Sequence, residues 1–205
     1  VRLIKELNTD ASVHGILIFR PLPRHLDESI IKHIISPDKD VDSMNPLNLA
    51  KVFEGDLEGY SPCTPAAVME IMKHFNIDIK GKMVAVLGRS MVVGKPLSMM
   101  LLKEDATVMI CHSKTENLKE AAASADVVVA AIGKARFIGA EYIRQGATVI
   151  DVGINVDENG KLCGDVDFEA VIDKASYVTP VPGGVGSVTT AVLLKNVIKG
   201  AKMMR

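Results

Sequence analysis

The sequence predicts an α/β protein built on a doubly wound parallel sheet, and three observations lead there. Short, continuously apolar runs rich in valine and isoleucine recur between residues 83 and 181. Segments with helical spacing of their apolar residues lie between them, the pattern of parallel strands covered on both faces. A glycine-bearing turn, "GRSMVVGKP", follows the first of these runs and opens a helix.

Taken in order, "VRLIKELNTD" places Val1, Leu3, Ile4 and Leu7 at helical spacing. The chain thus opens, without methionine, on a helix already under way, and an upstream segment is expected. "HGILIF" predicts a short strand, stopped by the two prolines of "RPLPRH". "DESIIKHIIS" predicts a short helix ended by Pro37. "PDKDVDSMNPLN" then predicts a polar loop long enough to be a place for function. In "SPCTPAAVMEIMKHFN" Thr64 is the expected N-cap and Pro65 the first helical residue. Val68, Ile71, Met72 and Phe75 share one face of that helix.

From residue 82 the pattern alternates. Strands are expected at "MVAVLG", "TVMICH", "DVVVAAIG", "TVIDVG" and "SYVTPV", with helices at about 95–104, 116–123, 140–144 and 167–173. A last helix, about 187–202, follows a glycine-rich loop and can return to the first segment. The boundaries fall near 55–63 and 180–186, which predicts one domain at 1–63 completed by helix 187–202 and another at 64–182.

Composition narrows the function. In 205 residues, 24 Lys and Arg stand against 25 Asp and Glu, and a net charge of −1 offers no field for nucleic acid or an anionic membrane. No apolar run approaches the roughly 20 residues of a membrane helix. Cys63, Cys111 and Cys163 are odd in number and lack metal-ligand spacing, so they read as buried thiols in a reducing, cytoplasmic setting. No Ser/His/Asp set, metal cluster or P-loop can be assembled.

The glycine turn carries the first chemical hint. A Rossmann turn brings backbone N–H groups and a helix N-terminus to a pyrophosphate. Gly88, Arg89, Ser90 and Gly94 sit in that context, but G-x-S-x-x-x-G is longer than the usual fingerprint, and spacing alone fits a plain strand-to-helix corner as well. The second strand ends in "CHSKTEN" with no acid until Glu116. Ser113, Lys114 and Arg89 suit a 2′-phosphate better than a bare ribose, so a cofactor, if one binds, is NADP rather than NAD. His112 and Lys114 fit a solvated loop equally well. In "TPVPGGVGSVT", Gly183, Gly184 and Gly186 let backbone pass a flat ring closely, or form an interdomain hinge. Asp40 and Asp42 are the candidate carboxylates of the polar loop.

Together, "HGILIFRPLP", "PDKDVDSMNP", "PCTP", "VLGRSMVVGKP", "CHSKT", "VIDVGIN", "GDVDF" and "TPVPGGVGSVT" stand in the order found in the methylenetetrahydrofolate dehydrogenase/cyclohydrolase family, which the whole chain resembles. The resemblance implies a Rossmann-like NADP domain plus the remnant of a second α/β domain that binds folate. It implies NADP-dependent oxidation of 5,10-methylenetetrahydrofolate to the methenyl form, then hydrolysis to 10-formyltetrahydrofolate, in a homodimer. By motif, Gly88, Arg89 and Ser90 match the phosphate turn, Ser113 the ribose-phosphate contact and Ile154 a further cofactor contact. Asp42 matches the aspartate that holds the pterin, and it is the residue of the catalytic set present here. Pro182, Gly183 and Gly184 match the wall beside folate and nicotinamide.

Three departures accompany the resemblance. The family's main catalytic lysine, in an amino-terminal Tyr-x-x-x-Lys element, has no counterpart in this sequence. Phe19, with Arg20 beside it, stands where the family often has a glutamine that aids this lysine. Ser187 replaces a common proline at the start of the last helix. These leave two other expectations open: a dehydrogenase that has lost the hydrolytic step, or a noncatalytic NADP-binding module.

Overall fold

The computed structural model describes residues 1–56 and 58–203. Packing divides the chain into two compact units, Val1–Cys63 with Thr190–Arg205, and Thr64–Thr189.

The continuous unit is built on five parallel strands, β1 (Met83–Leu87), β2 (Thr107–Cys111), β3 (Val127–Ala130), β4 (Thr148–Asp151) and the later β7 (Tyr177–Val178), in the order β2-β1-β3-β4-β7. Strands β3 and β4 are buried along their whole length, which is why β3 is apolar without alternation and β4 has adjacent apolar residues at Val149 and Ile150, with the buried Thr148 and Asp151 at its ends. Helices α5 (Gly94–Lys103), α6 (Leu118–Ala123) and α7 (Phe168–Val171) follow β1, β2 and the later hairpin. Leu97 and Leu101 of α5 are fully buried, while Ala122 of α6 and Val171 of α7 join the core cluster formed with Leu87, Val128, Ile138, Ile143 and Val149. The register aligns Leu87 with Cys111 and Ala130, and Ala130 with Asp151. The loops after β1, β2, β3 and β4 therefore leave the sheet at one edge, its carboxyl edge, where ligands of such sheets sit.

In the discontinuous unit, α1 (Arg2–Thr9), α2 (Glu28–Ile34) and α3 (Pro46–Glu54) are joined by polar contacts. Asn8 donates to the Ile34 carbonyl and accepts from Ser36 N–H, fastening α1 to the end of α2. The buried Lys39 ammonium donates to the Leu7 and Asp10 carbonyls at 3.0 and 2.6 Å, a cation at the carboxyl end of α1. Within helix α8 (Val185–Met203), Asn196 donates to the Val41 carbonyl. Among the described residues no helix is long and apolar enough to cross a membrane.

Several local expectations need correction. "HGILIF" does not form a strand, and among the described residues it pairs only through the Ile16–Asp40 bridge. The polar loop is shorter than expected, because Asn45 caps α3 by accepting from Leu47 N–H and Pro46 follows at the first helical position. Helix α4 (Cys63–His74) begins one residue before Thr64, and Phe75 lies beyond its end and exposed, whereas Val68, Ile71 and Met72 are buried. The expected helix at 140–144 is a 3-10 turn, Ala140–Tyr142. A hairpin of β5 (Asn155–Val156) and β6 (Leu162–Cys163) was not anticipated, since two-residue strands carry no period to read. Cys63, Cys111 and Cys163 are all free and buried.

Candidate functional site

In the discontinuous unit the polar loop separates its two aspartates by environment. Asp40 is buried and accepts from Met44 N–H, Asn45 N–H and Asn48 Nδ2 at 3.0, 2.7 and 3.1 Å. Burial pushes its carboxyl above the ordinary carboxylate range, against these hydrogen bonds, which favour the charged form. Its partners occupy it in shaping the loop. Two residues on, Asp42 is partly open: Oδ1 accepts from Cys63 N–H at 2.8 Å and Oδ2 from Arg20 Nη2 at 3.4 Å.

The contact of Arg20 with Asp42 was not anticipated from sequence. Its side chain is only 14% exposed, and its guanidinium lies between Asp42 and Glu28, whose Oε1 is 3.6 Å away. Beside it Phe19 is 82% exposed. The neighbouring Cys63 thiol is pushed far up by burial, so it stays protonated and donates to the Val41 carbonyl. Such a thiol is a poor nucleophile.

In the continuous unit, Gly88, Arg89 and Ser90 form the turn between β1 and α5. Gly88 has φ +135°, and a Cβ there would collide with the Ala131 carbonyl; one at Gly94 would collide with the Gly88 carbonyl. Two strands and a helix start thus approach more closely than any side chain allows, which explains both glycines and leaves backbone uncovered. Ser90 is part of the turn itself, since its Oγ accepts from Val93 N–H and its carbonyl from Lys95 N–H. Arg89 and Ser90 are exposed at the positive end of α5, a ten-residue helix.

Because Leu87 and Cys111 are register partners, Arg89 and Ser113 leave adjacent strands at the same level. Ser113 and Lys114 are exposed, in a loop tied by His112 N–H to Thr115 Oγ1 and by Lys114 N–H to His112 Nδ1. Further along the edge, a cleft of about 210 Å³ is lined by residues after β4 and β7, among them Gly153, Ile154, Pro182, Gly183 and Gly184. Ile154 is 70% exposed, and Gly183 has φ +98°. Ser187 also faces this cleft, and lies in the first turn of α8. The structure therefore sets Gly88, Arg89, Ser90, Ser113, Ile154, Pro182, Gly183 and Gly184 on loops at one sheet edge, and Asp42 in the other unit.

Sequence reasoning missed Asp151 and Asp165. Both are buried, Asp151 at the end of β4 and Asp165 just after β6, and the available signals were the aspartate closing the apolar run of "TVIDVG" and the paired aspartates of "GDVDF".

Comparison with known proteins agrees in both units. The chain matches the tetrahydrofolate dehydrogenase/cyclohydrolase NAD(P)-binding domain over residues 62–205 and the catalytic domain of the same name over residues 1–42. It is 61% identical over 203 residues to a "Bifunctional protein FolD" of Clostridioides difficile, spanning 99% of this chain and 71% of that relative. It is similar to the crystal structure of a bifunctional methylenetetrahydrofolate dehydrogenase/cyclohydrolase from Campylobacter jejuni, with TM-score 0.96 and 46% identity, over 98% of this chain and 71% of that one. The Trypanosoma brucei methylenetetrahydrofolate dehydrogenase-cyclohydrolase, solved with NADP and an inhibitor, gives 0.92 and 38% over the same shares. With both domain models matched in order and relatives this similar over nearly its whole length, the chain belongs to the tetrahydrofolate dehydrogenase/cyclohydrolase family.

Proposed function

We infer that this chain oxidises 5,10-methylenetetrahydrofolate to the methenyl form with NADP, and hydrolyses the methenyl compound to 10-formyltetrahydrofolate. One observation carries the reading: residues 1–42 and 62–205 match the catalytic and NAD(P)-binding halves of one bifunctional family.

The residues present fit a dinucleotide. The Gly88 and Gly94 positions have no room for a Cβ, and the uncovered turn lies at the start of α5, as a pyrophosphate requires. NADP, when bound, supplies the hydride acceptor. Arg89 and Ser113 would hold its 2′-phosphate, Arg89 by charge-assisted hydrogen bonds. Ile154 and the 182–184 loop would close on the flat ring, excluding water from the reacting face. Asp42 would orient the pterin by accepting its N–H groups, with Arg20 and Cys63 N–H fixing the carboxylate's direction. For a partner, a second copy of the chain is supported by β2, an edge strand with Thr107 and Ile110 exposed. A cytoplasmic location fits three buried free thiols.

The test is paired assays on the protein as the cell makes it: NADPH formation from methylenetetrahydrofolate, and loss of methenyltetrahydrofolate without nucleotide. Both activities are expected; absence of NADPH formation would overturn the reading. Oxidation without hydrolysis would show that Phe19 does not substitute for an amide.

A further inference from the structure

The loop after β3 offers three successive backbone N–H groups to one point. Those of Ile132, Gly133 and Lys134 all donate to Asp165, at 2.6, 3.0 and 2.8 Å. Such a concave run of N–H groups is an anion-binding nest. Here the anion is internal. Asp165 is fully buried, and its Oδ1 accepts a fourth bond from Asn155 Nδ2 at 2.9 Å, which joins the hairpin to the same carboxylate.

A second buried carboxylate holds the first in place. Asp151, the last residue of β4, accepts from the backbone N–H of Asp165 and of Val166 at 3.0 and 2.9 Å, and from Gly153 N–H at 2.9 Å. Gly164 leaves no space for a side chain, because its Cβ would run into the Asp151 carboxylate. The two acids thus link the loops after β3 and β4 with residues 164–166. Segments more than thirty positions apart in sequence meet on a single side chain, with Ile132 and Asp165 separated by 33.

We propose that Asp165, seated by Asp151, is a positioning residue of the cofactor site: an internal anion that fills a backbone nest and fixes the loops after β3 and β4 in the shape that receives NADP. The proposal rests on the cofactor reading above. Its physical basis is that a carboxylate can accept all four bonds, whereas an amide of the same size turns an NH2 group toward N–H donors. With an amide there, the loop leaves its binding shape for most of the time, and apparent affinity falls by the fraction lost.

The experiment uses the full protein, with the hydrolysis of methenyltetrahydrofolate, which consumes no nucleotide, as internal control. Asp165→Asn is expected to raise the KM for NADP and the Kd for NADPH about tenfold, as when about a tenth of the molecules keep the competent loop. The KM for methenyltetrahydrofolate should stay unchanged. A role in stability alone would lower Tm, and scale both activities with the folded fraction, leaving the NADP KM as in the wild type; that result overturns the proposal. Should Asp165→Asn fail to fold, Asn155→Ala removes one donor and keeps the carboxylate and its loop. A rise of about threefold in NADP KM is then expected from partial loss of the competent loop, and no rise overturns the proposal. Wild-type protein that binds no NADPH would overturn the cofactor reading together with this one, so the two failures are told apart.

Discussion

The two units each build a loop around a buried aspartate, and they do so over very different distances in sequence. Asp40 gathers Met44, Asn45 and Asn48, all within eight residues, so the loop folds around its own acid and presents Asp42 beside it. Asp165 gathers Ile132, Gly133 and Lys134 from more than thirty residues away, and Asn155 from ten. In both cases N–H donors make a buried carboxylate tolerable, where burial alone would expel its charge. A local acid sets the shape of one loop; a distant acid sets how separate loops are assembled. Damage to the first should therefore stay near Asp42, and damage to the second should spread along the sheet edge.

The largest expected effect tests the local case. Asp40→Ala strips three donors of their acceptor and should cost about 3 kcal/mol in urea unfolding, within the usual range for orphaned buried groups. By contrast Asp42→Asn, two positions on and partly open, should cost under about 1 kcal/mol while lowering dehydrogenase kcat/KM roughly 30-fold. Equal stability losses in both variants would erase the distinction between loop former and presented group.

A smaller effect sharpens the other side. Arg89 makes none of the bonds that form its turn, which come from Ser90, so Arg89→Ala should leave Tm unchanged. It should raise the KM for NADP about tenfold and that for NAD less than about twofold, the signature of a lost phosphate contact. Equal losses for the two nucleotides would show that Arg89 does not read the 2′-phosphate.

The smallest effect is common to both units. Desolvation raises the pKa of Asp40 and of Asp151 in the folded chain. Just above the ordinary carboxylate value the folded state then holds more protons than the unfolded one, so stability falls as pH rises through that window. Relative to Asp40→Asn, the wild type should lose stability as pH rises above about 4, as should the wild type relative to Asp151→Asn. Unfolding midpoints measured across that range check the sign, and an upward slope would mean that hydrogen bonding outweighs desolvation.

Much of the sheet was legible because β1 (MVAVL) and β3 (VVVA) are continuous apolar runs and β4 (TVID) has an apolar centre, a pattern that burial on both faces requires. The glycine turn was legible as a turn, and Gly94's collision with the Gly88 carbonyl gives the reason for its unusual spacing. Helix α3 was hidden because Asn45 and Pro46, a strong start signal, lie inside a polar run that reads as loop. "HGILIF" misled because an apolar run shows propensity for a strand but cannot supply the partner a strand needs. Arg20 on Asp42 and Asp165 on residues 132–134 were invisible for one reason: each bond spans more than twenty residues, beyond any periodicity.

One feature of the architecture bears on how the protein is made. The NAD(P) unit is one unbroken stretch, Thr64–Thr189, whereas the other unit needs Thr190–Arg205 to close on Val1–Cys63. On a ribosome the first part of the chain emerges with its Val41 carbonyl waiting for Asn196, 155 residues away. The continuous unit can fold as soon as it is out, while the earlier-made segment stays incomplete until α8 leaves the exit tunnel. Synthesis order and the order in which the two units can be completed thus differ, and α8 is the clasp that closes the discontinuous unit.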